Sequence, residues 1–266
     1  MARSPTVVLV HGAFTDASGY GRVIRRLQSK GTQVRAPMNP LRRLSFVADA
    51  PARYINVIEA SVLLVGHCYG GAVISQAVLA VSRTTGLGFP GRVRSRHGRK
   101  LRQSQEPFPS SLLVSTAVAS PYDAPGATGG PDLLIKMEEF HQTMSADLPD
   151  DLAAVTAVSR RPLSIGAFTE PATVAGWKPL PSWCMVSEHD NVISPEAEQF
   201  MAKRTGAEAP YADGSHAAFI ARPDVATALS PKGVAGALVP LPVPNFDQPR
   251  RRNHAHDRCL RQGRYF

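Results

Sequence analysis

No stretch of this 266-residue sequence approaches the roughly 18 consecutive apolar residues that a membrane helix needs. No secretory leader is expected either: Met1 to Pro5 carries one basic residue, and Thr6 to Val10 is too short for a signal-peptide core. Cysteine is scarce. The three present, Cys68, Cys184 and Cys259, cannot all pair with one another, so free thiols in a reducing cytoplasm are expected. Acids are absent from Arg83 to Arg102, where Arg83, Arg92, Arg94, Arg96, Arg99, Lys100 and Arg102 go unopposed, and from Arg250 onward only Asp257 faces a row of arginines. The formal net charge of +9 resides in these two tracts, and the remaining chain carries more acid than base. Neither tract interleaves its cations with aromatics as a stacking platform for bases would, so no nucleic-acid partner is expected, and no membrane partner either. Oligomeric state is not written in the pattern.

What is present is ordinary material for one domain: 43% hydrophobic residues over a length that buries a sizeable core. Thr6 to Val10 reads as a buried strand, Ala17 to Lys30 as a helix ending at Gly31, and Thr32 to Ala36 as a second strand broken by Pro37. Ser45 to Ala60 fits a helix with a break at Pro51, Ser61 to Gly66 a third strand, and Tyr69 to Ser82 a further helix. Such alternation predicts an α/β fold, a mostly parallel sheet of about six strands with helices on both faces. Beyond Ser82 the pattern fails, because Gly86 to Lys100 contains a proline and dense positive charge, which a central strand excludes. Ser111 to Ala117 is the substitute strand. Pro131 to Arg161 reads as helical and belongs to a small helical cap over about 120–180. Strands are expected again at Trp183–Val186 and near Glu208–Tyr211. The domain is placed at 1–228 with a basic insert at about 83–108, and the Pro/Arg-rich tail, 229–266, is expected to be disordered.

Gly66-His67-Cys68-Tyr69-Gly70 follows a strand and opens a helix, the placement that gives the five-residue nucleophile-elbow pattern its meaning. A thiol on such a turn sits over a helix N-terminus, whose dipole favours thiolate and oxyanion. Acyl transfer also needs two backbone N–H groups aimed at the developing oxyanion. The residue after the nucleophile, Tyr69, offers one; Ala13, in His11-Gly12-Ala13-Phe14 at the end of the first strand, offers the other.

Val8-Leu-Val-His-Gly-Ala-Phe14, Ala36-Pro-Met-Asn-Pro-Leu41 and Val65-Gly-His-Cys-Tyr-Gly-Gly-Ala-Val-Ile74 together resemble the small bacterial α/β hydrolases related to plant salicylate-ester esterases and hydroxynitrile lyases. Phe168-Thr-Glu-Pro171, Pro181-Ser-Trp183 and Asp213-Gly-Ser-His-Ala217 extend the resemblance, which spans about 5–80 and 130–228. It implies an acid after the penultimate strand, matched by Asp190 with Glu188 as the alternative, and a base after the last, matched by His216. The order Cys68, Asp190, His216 is the one this fold uses. Cysteine replaces the family's serine. Phe14, His141 and Trp183 are candidates for the substrate pocket, with packing roles equally open to His141 and Trp183. The implied activity is cleavage of a small carboxylic ester through a covalent acyl-enzyme, with no metal and no cofactor. A cofactor-independent lyase, a silent ligand-binding relative and a poorly folded chain are the rival readings.

The Arg/Gly/Ser/His make-up of 83–104, and of the tail, resembles GC-rich DNA translated out of frame. A reading frame shifted twice is the expectation, and sequencing the source DNA checks it: compensating insertions or deletions near residues 83 and 105 are expected, and their absence rules the first shift out.

Overall fold

Nine strands are present among the residues that the computed structural model describes, 4–90, 111–121, 130–172 and 175–228. The first half of the chain supplies β1 (Thr6–Val10), β2 (Val34–Arg35), β3 (Val62–Gly66) and β4 (Thr84–Pro90). The second half supplies β5 (Ala117–Ser120), β6 (Asp132–Ile135), β7 (Leu163–Ser164), β8 (Ser182–Ser187) and β9 (Tyr211–Ala212). Six of them form one sheet in the order β2-β1-β3-β4-β8-β9, every neighbouring pair parallel. β1 and β3 are buried at every residue, as near-continuous apolar runs must be in a parallel sheet covered on both faces.

Alternation along the strands sorts side chains into two cores. Val8, Val10, Leu64, Leu87, Phe89 and Cys184 face one way, against α2 (Leu44–Asn56), α3 (Tyr69–Ala77) and a helix after β8. Val7, Leu9, Leu63, Val65, Trp183 and Met185 face the other, where α1 (Gly21–Ser29) contributes Val23 and Leu27. α2 runs through Pro51 without stopping, in place of the expected break. Among the described residues, four short α-helices and the antiparallel sheet β5-β6-β7 occupy the stretch between β4 and β8. They are α4 (Leu113–Thr116), α5 (Phe140–Met144) and α6 (Asp150–Val158), followed by α7 (Ile165–Thr169). α8 (Pro195–Thr205) has Ser194 as N-cap, accepting from the Ala197 amide at 3.3 Å, and a left-handed Gly206 as its stop. α9 (Ala218–Ala221) closes the second core with Phe219 and Ile220.

Three expectations need correction. The flanking strand is not lost to a basic insert: Thr84–Pro90 is uncharged, pairs with β3 and β8 in parallel, and sits near the middle of the sheet. A window starting at Gly86 merges this strand with the charges beyond Pro90, and so hides it. Ser111–Ala117 is accordingly no substitute strand; most of it is helix α4, and pairing begins at Ala117. Pro131–Arg161 is not one helical stretch, because Asp132–Ile135 is the middle strand of the small sheet, a short apolar run whose periodicity does not separate strand from helix. The rest of the basic tract, 91–110, and the tail from 229 lie outside the described residues.

Gly86 is the tight point of β4. A Cβ built there would stand 2.7 Å from a ring carbon of Trp183 on the neighbouring strand, so the indole lies over a glycine. Gly86→Ala is expected to destabilise the chain by about 1–3 kcal/mol through overpacking. Denaturant unfolding with and without Trp183→Phe checks this; the double variant recovers part of the loss.

Candidate active site

The turn from β3 into α3 is built by glycines on either side of Cys68. A Cβ on Gly66 would fall 2.4 Å from the Gly70 carbonyl oxygen, and one on Gly70 would fall 2.3 Å from that of Val10. Only bare backbone lets α3 begin this close to the ends of β1 and β3. Cys68 between them has φ 50° and ψ −124°, a strained conformation for a residue with a side chain. Its thiol is buried, with 4% of the residue exposed.

The loop after β1 reaches the same turn. A Cβ on Gly12 would stand 2.6 Å from the Cys68 Cβ, so Gly12 lies directly against the elbow, and the next residue, Ala13, belongs to the same buried cluster as Cys68. His11 and Asn39 hold that loop. The Asn39 amide donates to His11 Nε2 at 2.9 Å, the Asn39 side chain donates to the His11 carbonyl at 2.9 Å, and Asn39 Oδ1 accepts from the Leu41 amide at 3.1 Å. Nε2 is therefore an acceptor, and the proton sits on Nδ1, facing the Gly12 carbonyl at 3.1 Å. Burial lowers the pKa of His11, as this neutral tautomer requires. Among the described residues neither the Ala13 nor the Tyr69 amide donates to a protein acceptor.

From the opposite end of the chain come Asp190, in the loop after β8, and His216, in the loop after β9. His216 Nδ1 donates to Asp190 Oδ2 at 2.7 Å, with both side chains fully buried. The other oxygen, Oδ1, accepts from the Val192 and Ile193 amides at 2.6 and 2.8 Å, so the carboxylate is fully directed. Burial is the largest single influence on His216 and lowers its pKa, but the Asp190 charge, the neighbouring Cys68 sulfur and the hydrogen bonding to both together outweigh it, and the imidazole ends well above its ordinary value. Nε2 is buried and meets no hydrogen bond of ordinary geometry, although the sulfur is near enough to act on the ring. Such a triple can carry a proton between a thiol and a bound carbonyl compound.

Cys68, Asp190, His216 and the Ala13 and Tyr69 amides are thus brought together. The alternative acid, Glu188, is exposed, and the neighbouring His189 is paired at the surface with Asp213 at 3.2 Å. Phe14 is buried in the same apolar cluster as Cys68, with φ 56°. The other two pocket candidates are not brought to the site. His141 faces the Leu148 carbonyl at 3.0 Å and Asp150 at 3.7 Å, tying α5 to the loop that follows it. Trp183 packs in the core on the opposite face of the sheet from Cys68, over Gly86.

The sequence reading missed several supports. Tyr20 Oη donates to the Val10 carbonyl and accepts from the His67 amide, both at 3.2 Å, pinning the start of the elbow to the end of β1. Tyr69 Oη donates to the Arg42 carbonyl at 2.7 Å, and the Arg42 side chain pairs with the buried Asp132 of β6. Ser215 donates to Asp147 and to the Met144 carbonyl, and the Ala217 amide donates to that same carbonyl at 2.9 Å. His67 and Asn39 stood inside quoted motifs, but nothing local marks Asp147 or Tyr20 as neighbours of the site. No helix of the described residues is long and apolar enough to cross a membrane, and none of their His, Cys, Asp and Glu side chains gather into a group of three or more fit for a metal ion.

Comparison with known proteins agrees with this frame. The profile of the Alpha/beta hydrolase family matches residues 7–229. A curated relative, "Probable hydrolase R7" of Phoma sp., is 26% identical over 216 residues, 73% of this chain and 81% of the relative. Among solved structures, a pyrethroid hydrolase, PytH, superposes with TM-score 0.74 at 19% identity, covering 88% of this chain and 99% of its own. Polyneuridine aldehyde esterase gives TM-score 0.72 at 17% identity, covering 86% and 99%.

Since the raised pKa of His216 depends in part on Cys68, Cys68→Ala is expected to move the imidazole midpoint downward. Titration of the His216 ring by NMR checks the direction; an unchanged midpoint would separate the thiol from the histidine. The linkage to stability has a definite sign. A histidine raised on folding contributes fully below about pH 6.5, its unfolded value, and the contribution is lost as pH rises through the folded value.

Proposed function

Because the chain belongs to the alpha/beta hydrolase family, we propose that it cleaves a small carboxylic ester through Cys68, His216 and Asp190. The observation that carries this reading is the buried His216–Asp190 pair, at 2.7 Å, whose other ring nitrogen lies unpartnered beside the thiol of a strained strand-to-helix turn. The esterase and pyrethroid hydrolase that share the fold support the same class of bond.

Cys68 attacks the ester carbonyl as thiolate, with its proton held on His216. The carbonyl oxygen becomes an oxyanion in front of the Ala13 and Tyr69 amides, each such donor contributing about 10²–10³ in rate. Collapse breaks the bond to the alcohol oxygen, which takes the proton from His216 and leaves a thioester. Water then adds to the thioester, giving its proton to His216, and the acid departs as Cys68 returns to thiolate. Asp190 fixes the tautomer and steadies the imidazolium through both halves.

Sulfur imposes a preference on the substrate. In the tetrahedral intermediate the thiolate, of pKa about 8.5 as a free thiol, leaves more readily than an alkoxide, so attack on an alkyl ester tends to reverse. Esters of phenols or other acidic alcohols let the forward bond break first. The proposal therefore favours activated esters.

An ester panel on wild type, Cys68→Ser and Cys68→Ala tests the reading. Cys68→Ala is expected to lose activity by at least about a thousandfold. Cys68→Ser is expected to retain or gain activity and to extend it toward alkyl esters. Equal rates in all three proteins would remove Cys68 from the reaction.

A further inference from the structure

The ester-cleavage scheme gives no task to His67, yet this imidazole is buried next to the base. The residue is 1% exposed. Its ring lies 4.7 Å from that of His216, centroid to centroid, and 4.5 Å from that of Phe219. Nε2 stands 3.0 Å from the His216 carbonyl oxygen. A carbonyl only accepts, so Nε2 carries the proton, and Nδ1 is left with its lone pair, buried and without a hydrogen-bond partner. A Cβ on Gly12 would come within 2.9 Å of that Nδ1, which places the ring between the oxyanion loop and the base.

An apolar ring of this size would fill the same space without burying a nitrogen that has no partner, a choice that costs stability. What the imidazole adds over such a ring is one directed donor, and it is aimed at the backbone of His216. Other ties of that loop run elsewhere: Ser215 and Ala217 bond to the Met144 carbonyl, Ser215 also to Asp147, and the Gly214 carbonyl accepts from the His189 amide at 3.0 Å. We propose that His67 is a positioning residue, whose Nε2–H bond to the His216 carbonyl sets the direction in which the catalytic imidazole presents Nε2 to Cys68. This inference rests on the ester-cleavage reading of the site.

The protonation state agrees with the geometry. Burial, and then the positive charge of His216, hold His67 well below the ordinary histidine value, with His11 adding to the effect. His67 therefore stays neutral while His216 carries the proton, and one donor with one fixed tautomer persists through the reaction cycle. The Tyr20 hydroxyl, accepting from the His67 amide, holds the other side of the same residue.

Two variants separate the donor from the ring. His67→Phe keeps an aromatic in contact with His216 and Phe219 but has no donor; His67→Gln lacks the ring but places an N–H at a similar reach. With an activated aryl ester, His67→Phe is expected to lose about ten- to a hundredfold in kcat with KM nearly unchanged, the scale of a small misplacement, while His67→Gln recovers most of the loss. The strongly downfield proton resonance of His216 Nδ1–H should weaken or shift in His67→Phe and return in His67→Gln. A His67→Phe protein with wild-type kcat and an unchanged Nδ1–H signal overturns the proposal, and so does a His67→Gln protein as impaired as His67→Phe. Should His67→Phe not fold, nitrogen NMR of the wild-type ring decides: a neutral Nε2–H tautomer is expected, and an Nδ1–H tautomer or a protonated ring at neutral pH refutes it. If wild type shows no ester cleavage that depends on Cys68, the functional reading fails by itself, and the His216 signal in the two variants still judges the role of His67.

Discussion

The site exists because α3 starts against the ends of β1 and β3 with no side chain in between. Gly70 passes over the Val10 carbonyl, Gly66 passes under the Gly70 carbonyl, and Gly12 touches the Cys68 Cβ, each at a distance that a methyl group would not survive. That contact bends Cys68 into positive φ and keeps the Ala13 and Tyr69 amides beside it. It also brings the turn within reach of loops that leave the sheet at β8 and β9. Without the close approach, the cysteine would be one more buried small residue at the head of a helix.

Three buried histidines surround this turn, and their environments divide their roles. His11 and His67 have no carboxylate partner and face backbone carbonyls or amides, so burial keeps them neutral and they serve as fixed donors and acceptors. His216 alone has a carboxylate, itself held by two amides, and it alone is raised. The same side chain is thus held neutral or favoured in its charged form according to whether a carboxylate faces it. Charge on His216 further discourages charge on His67, which keeps the two roles apart.

The elements between β4 and β8 are fastened to the candidate site. The Met144 carbonyl at the end of α5 accepts from the His216 loop, Asn191 beside Asp190 donates to the Gln142 carbonyl at 2.9 Å, and Arg42 joins the loop after β2 to β6. Movement of α5 would therefore pull on Asp190 and His216 together. Tyr69, next to Cys68, adds a fourth tie, since its hydroxyl donates to the Arg42 carbonyl.

Strand, turn and helix between Thr6 and Ala77 were legible in the chain itself, because period, glycine placement and the run from Gly66 to Gly71 are local properties. The candidates Cys68, Asp190 and His216 were named from the chain as well, once the motifs suggested a family. Thr84–Pro90 was not legible, since two glycines and a terminal proline look like a loop until Trp183 and Val65 are seen packing over them. Asp132–Ile135 failed for a related reason: four residues are too few for a period, and only pairing with Ala117–Ser120 makes them a strand. Trp183 carried no mark of which face it takes; the register of β8 on β4 turns it away from Cys68. The selection of Asp190 over Glu188, and the place of His67 behind His216, depend on distances between segments far apart in sequence. Local patterns state which residues bend, pair or coil, whereas the convergence of side chains is decided by how the layers pack.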